Sequence, residues 1–197
     1  GGAAVSRIVP SLRGHESPPL AAGLGSQVLI SLGLVAILVL WLAAVGRPLI
    51  CPCGTVTLWV GDVNSPQTSQ QFADWYSLLH VVFGFALWLF LDWMKPQWST
   101  GQKFVVAIAS SVAWEAVENL PPVIALFGDS PGAPPYEGDS ILNAVADTIF
   151  VAAGFLAARF MPVPVVLFAA FALELIVLNE AGDGYLLGSL RLLGASV

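Results

Sequence analysis

Glu115, Glu118 and Asn119 stand at i, i+3 and i+4 in the apolar run from Phe104 to Phe127, so two carboxylates and an amide share one helical face. Each must be neutralised, paired or solvated if that run lies in hydrocarbon, so the face is expected to point into a bundle. Upstream, Asp74, Ser77, His80 and Gly84 recur at spacings of three and four; downstream, Asp139, Asn143 and Asp147 form a ladder descending about 12 Å at helical rise. Glu174 adds a fourth acidic helix at similar depth.

Several chemistries fit these residue types. One His with carboxylates and amides suits a divalent cation such as Mg²⁺, Ca²⁺, Mn²⁺ or Zn²⁺, with His80, Asp139, Asn143 and Asp147 as the ligand set. In that reading, Glu115 or Glu118 serves as general base toward an activated water. Ser77 and His80, one turn apart with Asp74 behind them, are the nearest approach to a nucleophile and base, although such pairs on membrane helices more often serve packing. An intramembrane His is also a permissive ligand for a tetrapyrrole. Acids at staggered depths can relay protons, but only Asp92 lies near the inner end and no continuous path is visible. The plainest reading is structural: carboxyls hydrogen-bonded to Asn119, Asn143, Ser77 and Tyr76 as glue between helices.

The elements that must position these groups are helices in a membrane. Of the 197 residues, 57% are hydrophobic and 10% charged, with a mean hydropathy of +0.82, against roughly a quarter charged in a soluble domain. A net charge of -6 without a basic run argues against nucleic-acid binding. Five stretches, near 27–45, 73–94, 103–127, 141–161 and 163–180, have the length and apolarity of spans. The expected fold is therefore an all-α bundle of about five transmembrane helices with a periplasmic loop after the first, forming one domain over residues 26–197. Pro121-Pro122 should break or kink the third span.

Cation placement favours a cytoplasmic N-terminus in a bacterial inner membrane: Arg7, Arg13, Lys95, Lys103 and Arg159 then lie inside, Arg47 and Arg191 outside. Trp59, Trp75, Trp88, Trp93 and Trp98 suit interfacial belts or adjoining loop surface. Residues 51–72 read as turns, with Thr55–Val60 as a candidate strand. Cys51 and Cys53, separated by one residue, read as free or partner-linked thiols because so short a bridge is strained. Residues 1–25, with Pro10, Pro18 and Pro19 and no apolar signal-like core, read as a flexible cytoplasmic tail, and the opening Gly as a trimmed N-terminus.

Over residues 51–180 the chain resembles an uncharacterised bacterial multi-pass family, domain of unknown function twenty-five eighty-five. The resemblance rests on Cys53-Gly54 with Leu58-Trp59 and Gly61, Val63-Asn64-Ser65, Ser69-Gln70, Asp74-Trp75-Tyr76 and His80 with Gly84. It continues through Trp114-Glu115, Glu118-Asn119 and Pro121, and Gly138-Asp139-Ser140 with Asn143 and Asp147. It implies a multi-helix membrane fold and brings no activity with it. Phe83 stands where the family pattern has a second His, and Leu126-Phe127-Gly128 where it has a basic-aromatic-basic triplet. The loss of those groups favours a non-catalytic accessory or structural subunit of a larger membrane complex, of respiratory or photosynthetic type, with other membrane subunits and the bilayer as partners. The alternative is a metal-dependent membrane hydrolase acting on lipid-linked or phosphorylated substrates.

Overall fold

A computed structural model of the chain describes residues 23–128 and 136–193. The expected tail, apart from its last residues, therefore lies outside the described residues, as does most of the segment between residues 128 and 138. Seven helices are present among the described residues: α1 (Leu24–Ala44), α2 (Ser77–Met94), α3 (Thr100–Glu118), α4 (Pro121–Gly128), α5 (Ile141–Phe160), α6 (Val163–Ala181) and α7 (Tyr185–Leu192). Four of them, α1, α2, α5 and α6, are long and apolar enough to cross a membrane. The protein is thus a multi-pass helical membrane protein with four such helices among the described residues, where five were expected.

The difference lies in the third stretch. Its helix stops at Glu118 instead of running to residue 127, because Pro121 disfavours helical backbone at Leu120 and lacks an N–H, and α4 starts afresh behind it. What remains, α3, carries Gln102, Lys103, Glu115 and Glu118, too polar a mixture to resemble the other four. It is nevertheless well specified. Ser99 and Gln102 close a capping box at its N-terminus. At one end Lys103 pairs with Asp92 of α2, and at the other Glu115 faces His80 of α2. α2 and α3 therefore run antiparallel through the same thickness.

α5 is the central helix, packed against α1, α2 and α3. Of its most apolar stretch 56% is buried inside the protein, against 11% for α6, which leans on α2 at the periphery. The α2/α5 contact is unusually close because glycines meet there. A Cβ on Gly84 would strike the Val151 carbonyl and stand 2.6 Å from the Phe155 nitrogen. One on Gly154 would strike the Val81 carbonyl. Backbones that near each other are the familiar use of small residues between membrane helices. Leu38, Leu42, Ile108, Val112, Ile141 and Ala144 fill the seam between α1, α3 and α5. Trp88 packs edge-on against Phe155 at 5.2 Å, beneath the Lys103 ammonium.

The loop between α1 and α2 forms no strand among the described residues. Thr57 and Val60 instead make single backbone bonds with Phe72 and Ala73, tying two extended pieces together. Cys51 and Cys53 are joined in a disulfide, which corrects the expectation of free or partner-linked thiols. A turn closed by Gly54 N–H to the Cys51 carbonyl, with Gly54 at φ 77°, folds their Cα atoms to 5.1 Å, a separation a disulfide can bridge.

Candidate functional site: an acidic pocket at one end of the bundle

α2, α3 and α5 bring their polar faces together at the end of the bundle where α2 and α5 begin. Two layers can be distinguished. The outer one is a lattice of hydrogen bonds that locks the loops onto the helices, with the Gln70 Oε1 as its one buried side-chain oxygen lacking a partner among the described residues. Asn119 donates from Nδ2 to Asp139 Oδ2 at 2.7 Å and to the Glu115 carbonyl at 3.1 Å, while its Oδ1 accepts from the Asp139 N–H at 2.8 Å. Tyr136 donates to the same Asp139 carboxylate at 3.1 Å. Arg47 donates from Nε to the Asp139 carbonyl and from Nη1 to the Glu137 carbonyl.

Ser140 caps α5, accepting from the Asn143 N–H at 3.1 Å, and its hydroxyl donates to the Gln70 carbonyl. Asn143 donates to the Gln71 carbonyl at 3.0 Å, and Gln70 to the Gly138 carbonyl at 2.7 Å. Asp74 accepts from the Ser69 and Tyr76 N–H groups at 2.7 and 2.9 Å. Burial nonetheless holds the Asp74 carboxyl above its usual range, against the pull of those backbone donors. Burial likewise raises Asp139 to about 6, opposed by the bonds from Asn119 and Tyr136 and by the Arg47 charge. The Tyr136 phenol is pushed up by burial and by the neighbouring Asp139 charge.

The inner layer is different. His80 stands between two acids, with Nδ1 3.5 Å from Glu115 Oε1 and Nε2 3.7 Å from Asp147 Oδ2. Ser77 donates to Asp147 Oδ1 at 2.9 Å. Glu118 lies beside them and is bonded by Trp114. Donor atoms of His80, Glu115 and Glu118 fall within 4.8 Å of one another. Both Glu115 oxygens and His80 Nδ1 are buried without a hydrogen-bond partner. A cavity of about 160 Å³ adjoins this cluster, lined by His80, Glu118 and Asp147 on the helices, by Asp139 just before α5, and by Tyr136 and Tyr185 from the flanks.

Of the ten residues singled out in the sequence, His80, Glu115, Glu118 and Asp147 form the inner cluster, with Ser77 behind Asp147. Asp74, Asn119, Asp139 and Asn143 belong to the hydrogen-bonded lattice. Glu174 stands apart, accepting from the Leu186 N–H at 3.1 Å at the start of α7. The four residues offered as metal ligands thus divide, with Asp139 and Asn143 engaged in anchoring loops. Sequence reasoning gave no role to Gln70, Gln71, Tyr136 or Tyr185, although Tyr185 donates to the Leu79 carbonyl at 2.6 Å. Side-by-side amides in a turn-rich loop were the available signal for the first two; the tyrosines carried none.

Residues 42–195 match the family model described as Protein of unknown function (DUF2585). A protein of Sphingopyxis alaskensis named UPF0314 protein is 44% identical, the match covering 83% of this chain and 87% of that one. Namesakes in Brucella anthropi and Novosphingobium aromaticivorans are 33% and 36% identical, covering 91% and 85% of this chain and 91% and 86% of theirs. No solved structure matches.

Proposed function

The chain belongs to the DUF2585 family, and on that premise we propose that it is a non-catalytic accessory subunit that docks against a larger assembly in the bacterial inner membrane. One observation carries this reading. The loop between α1 and α2 is rigidly fastened by the lattice above, yet it presents Leu49, Val56, Leu58 and Trp59 outward at 69%, 55%, 78% and 44% exposure.

Such side chains on extended, sparsely hydrogen-bonded backbone have no place in hydrocarbon, where free peptide groups go unsatisfied. In water, exposed apolar side chains held on a fastened loop offer a contact surface. A partner subunit seated on that loop satisfies both constraints. The hydroxyls that could serve as nucleophiles beside His80 are committed elsewhere, Ser77 to Asp147 and Tyr185 to a carbonyl. Lys95, Lys103 and Arg159 gather at the opposite end of the bundle, which supports a cytoplasmic placement of that end, with α3 as a fifth crossing and the pocket on the periplasmic side.

The test is extraction from native membranes in mild detergent. A chain that co-migrates at fixed stoichiometry with other membrane subunits, and is released from them by Leu58→Ser with Trp59→Ser, fits the proposal. Migration as a lone monomer refutes it, and so does an assembly indifferent to those two substitutions.

A further inference from the structure

We propose that His80, Glu115 and Glu118 hold one divalent transition-metal ion, with Asp147 as the positioning residue for the imidazole. The inference is independent of the docking surface, since it rests on the inner cluster alone. Glu115 is 0% exposed, and neither of its oxygens meets a donor. The only other unpartnered atom in the cluster, His80 Nδ1, faces it at 3.5 Å. In the neighbouring loop lattice the Asp74, Asn119, Asp139 and Asn143 side chains all have hydrogen-bond partners, and the Gln70 Oε1 is the one buried side-chain oxygen there without one among the described residues. Three ligand-type atoms left open toward one point need a common occupant.

The histidine is set up for it. Asp147 Oδ2 lies on the Nε2 side, and Asp147 is itself fixed by the Ser77 hydroxyl. That arrangement favours the proton on Nε2 and leaves the Nδ1 lone pair directed at the carboxylates, the usual carboxylate–histidine–metal relay. Charge points the same way. None of the cavity-lining residues is Lys or Arg, and the Arg47 guanidinium is spent on two backbone carbonyls. A divalent ion would offset the charge of the buried, unpartnered Glu115 and of the half-buried Glu118, whose one side-chain donor is Trp114.

The donor set selects the kind of ion. One imidazole nitrogen with two carboxylates suits Zn²⁺ or Mn²⁺, whereas Ca²⁺ and Mg²⁺ prefer all-oxygen cages with more ligands. Metal–ligand bonds of about 2.0–2.2 Å require the three donor atoms to draw in by about an ångström from their 4.8 Å envelope, within the reach of two Glu side chains. Glu118 also lines the cavity, so coordination positions beyond the three would open onto it.

The test uses the full chain in detergent, stripped with chelator and titrated calorimetrically with Zn²⁺, Mn²⁺ and Ca²⁺. Zn²⁺ and Mn²⁺ are expected to bind at one ion per chain, both more tightly than Ca²⁺. Glu115→Gln and Glu118→Gln should each weaken binding by about 100-fold or more, and Asp147→Asn by about 10- to 100-fold. Exposed acids serve as controls: Asp62→Asn and Glu137→Gln should leave binding unchanged. Thermal melting of each metal-free variant reports folding separately. Should Glu115→Gln not fold, Glu118→Gln decides. No binding up to about 1 mM ion, undiminished binding in the folded Gln variants, or preference for Ca²⁺ overturns the proposal.

Discussion

Replacing Gly84 with Ala adds one methyl group and should be among the costliest substitutions of its size in the protein. The new Cβ would stand 2.6 Å from the Phe155 nitrogen and 3.1 Å from the Gly154 carbonyl carbon, besides striking the Val151 carbonyl oxygen. All are backbone atoms of α5, so no side chain can swing aside. Restoring ordinary contact of about 3.4 Å requires α2 and α5 to part by about an ångström or slightly more. A gap of 0.5–1 Å forfeits a quarter to a half of the dispersion energy of every atom pair across it. α5 is the helix on which α1, α2 and α3 all rest, so the loss extends beyond the two glycines. Overpacking of this sort costs about 1–3 kcal/mol, and the upper half of that range applies where backbone must move. Thermal unfolding in detergent, followed by helicity, measures it. Gly33→Ala in α1 supplies the contrast, because its Cβ meets nothing within 4 Å and helix propensity alone should make it neutral or stabilising by up to about 1 kcal/mol. If Gly84→Ala melts within about 0.5 kcal/mol of wild type, the close α2/α5 crossing is wrong.

Asn119→Ala removes three hydrogen bonds, strands the buried Asp139 N–H and leaves the Asp139 carboxylate with Tyr136 as its side-chain donor. The expected loss is about 2–4 kcal/mol in the same melting assay. Tyr185→Phe deletes only the bond to the Leu79 carbonyl and should cost about 1 kcal/mol, with faster amide exchange in α7 than in α2 as the local signature. Asp139 makes stability depend on pH. Its folded value of about 6 lies above the ordinary 3.8, so its contribution is complete below about pH 4 and is lost as pH rises through 6. The full swing corresponds to roughly 3 kcal/mol. Melting midpoints between pH 4 and 7 should therefore fall with pH in wild type and flatten in Asp139→Asn.

Helix identity was legible wherever an apolar run had clear ends: α1, α2, α5 and α6 all fall within a few residues of where hydropathy puts them. The faces were legible too, because Ser77, His80 and Gly84, or Glu115 and Glu118, follow helical spacing whatever lies opposite. What spacing cannot supply is the partner. Asp139 and Asn143 have the same ligand-like chemistry as Asp147, and only the path of residues 46–76 over the helix ends decides that they bind loops. That path depends on Arg47, Gln70 and Gln71 meeting residues some 70 to 90 positions away in sequence. The Cys51–Cys53 bridge escaped for a related reason, since a tight turn at Gly54 supplies the geometry that residue spacing alone argues against. The break in the third span was visible at Pro121-Pro122, but the polarity of the shortened helix left its status to its packing against α2.

That His80 of α2 and Glu115 of α3 meet is the claim on which the inner cluster stands. A double-mutant cycle on unfolding free energy tests it, using His80→Ala and Glu115→Gln singly and together in metal-free protein. Their 3.5 Å contact predicts a coupling of about 1–3 kcal/mol. His80→Ala with Asp92→Asn, a pair separated by about 18 Å along α2, should couple by less than about 0.5 kcal/mol. Equal and negligible coupling in both cycles would contradict the account.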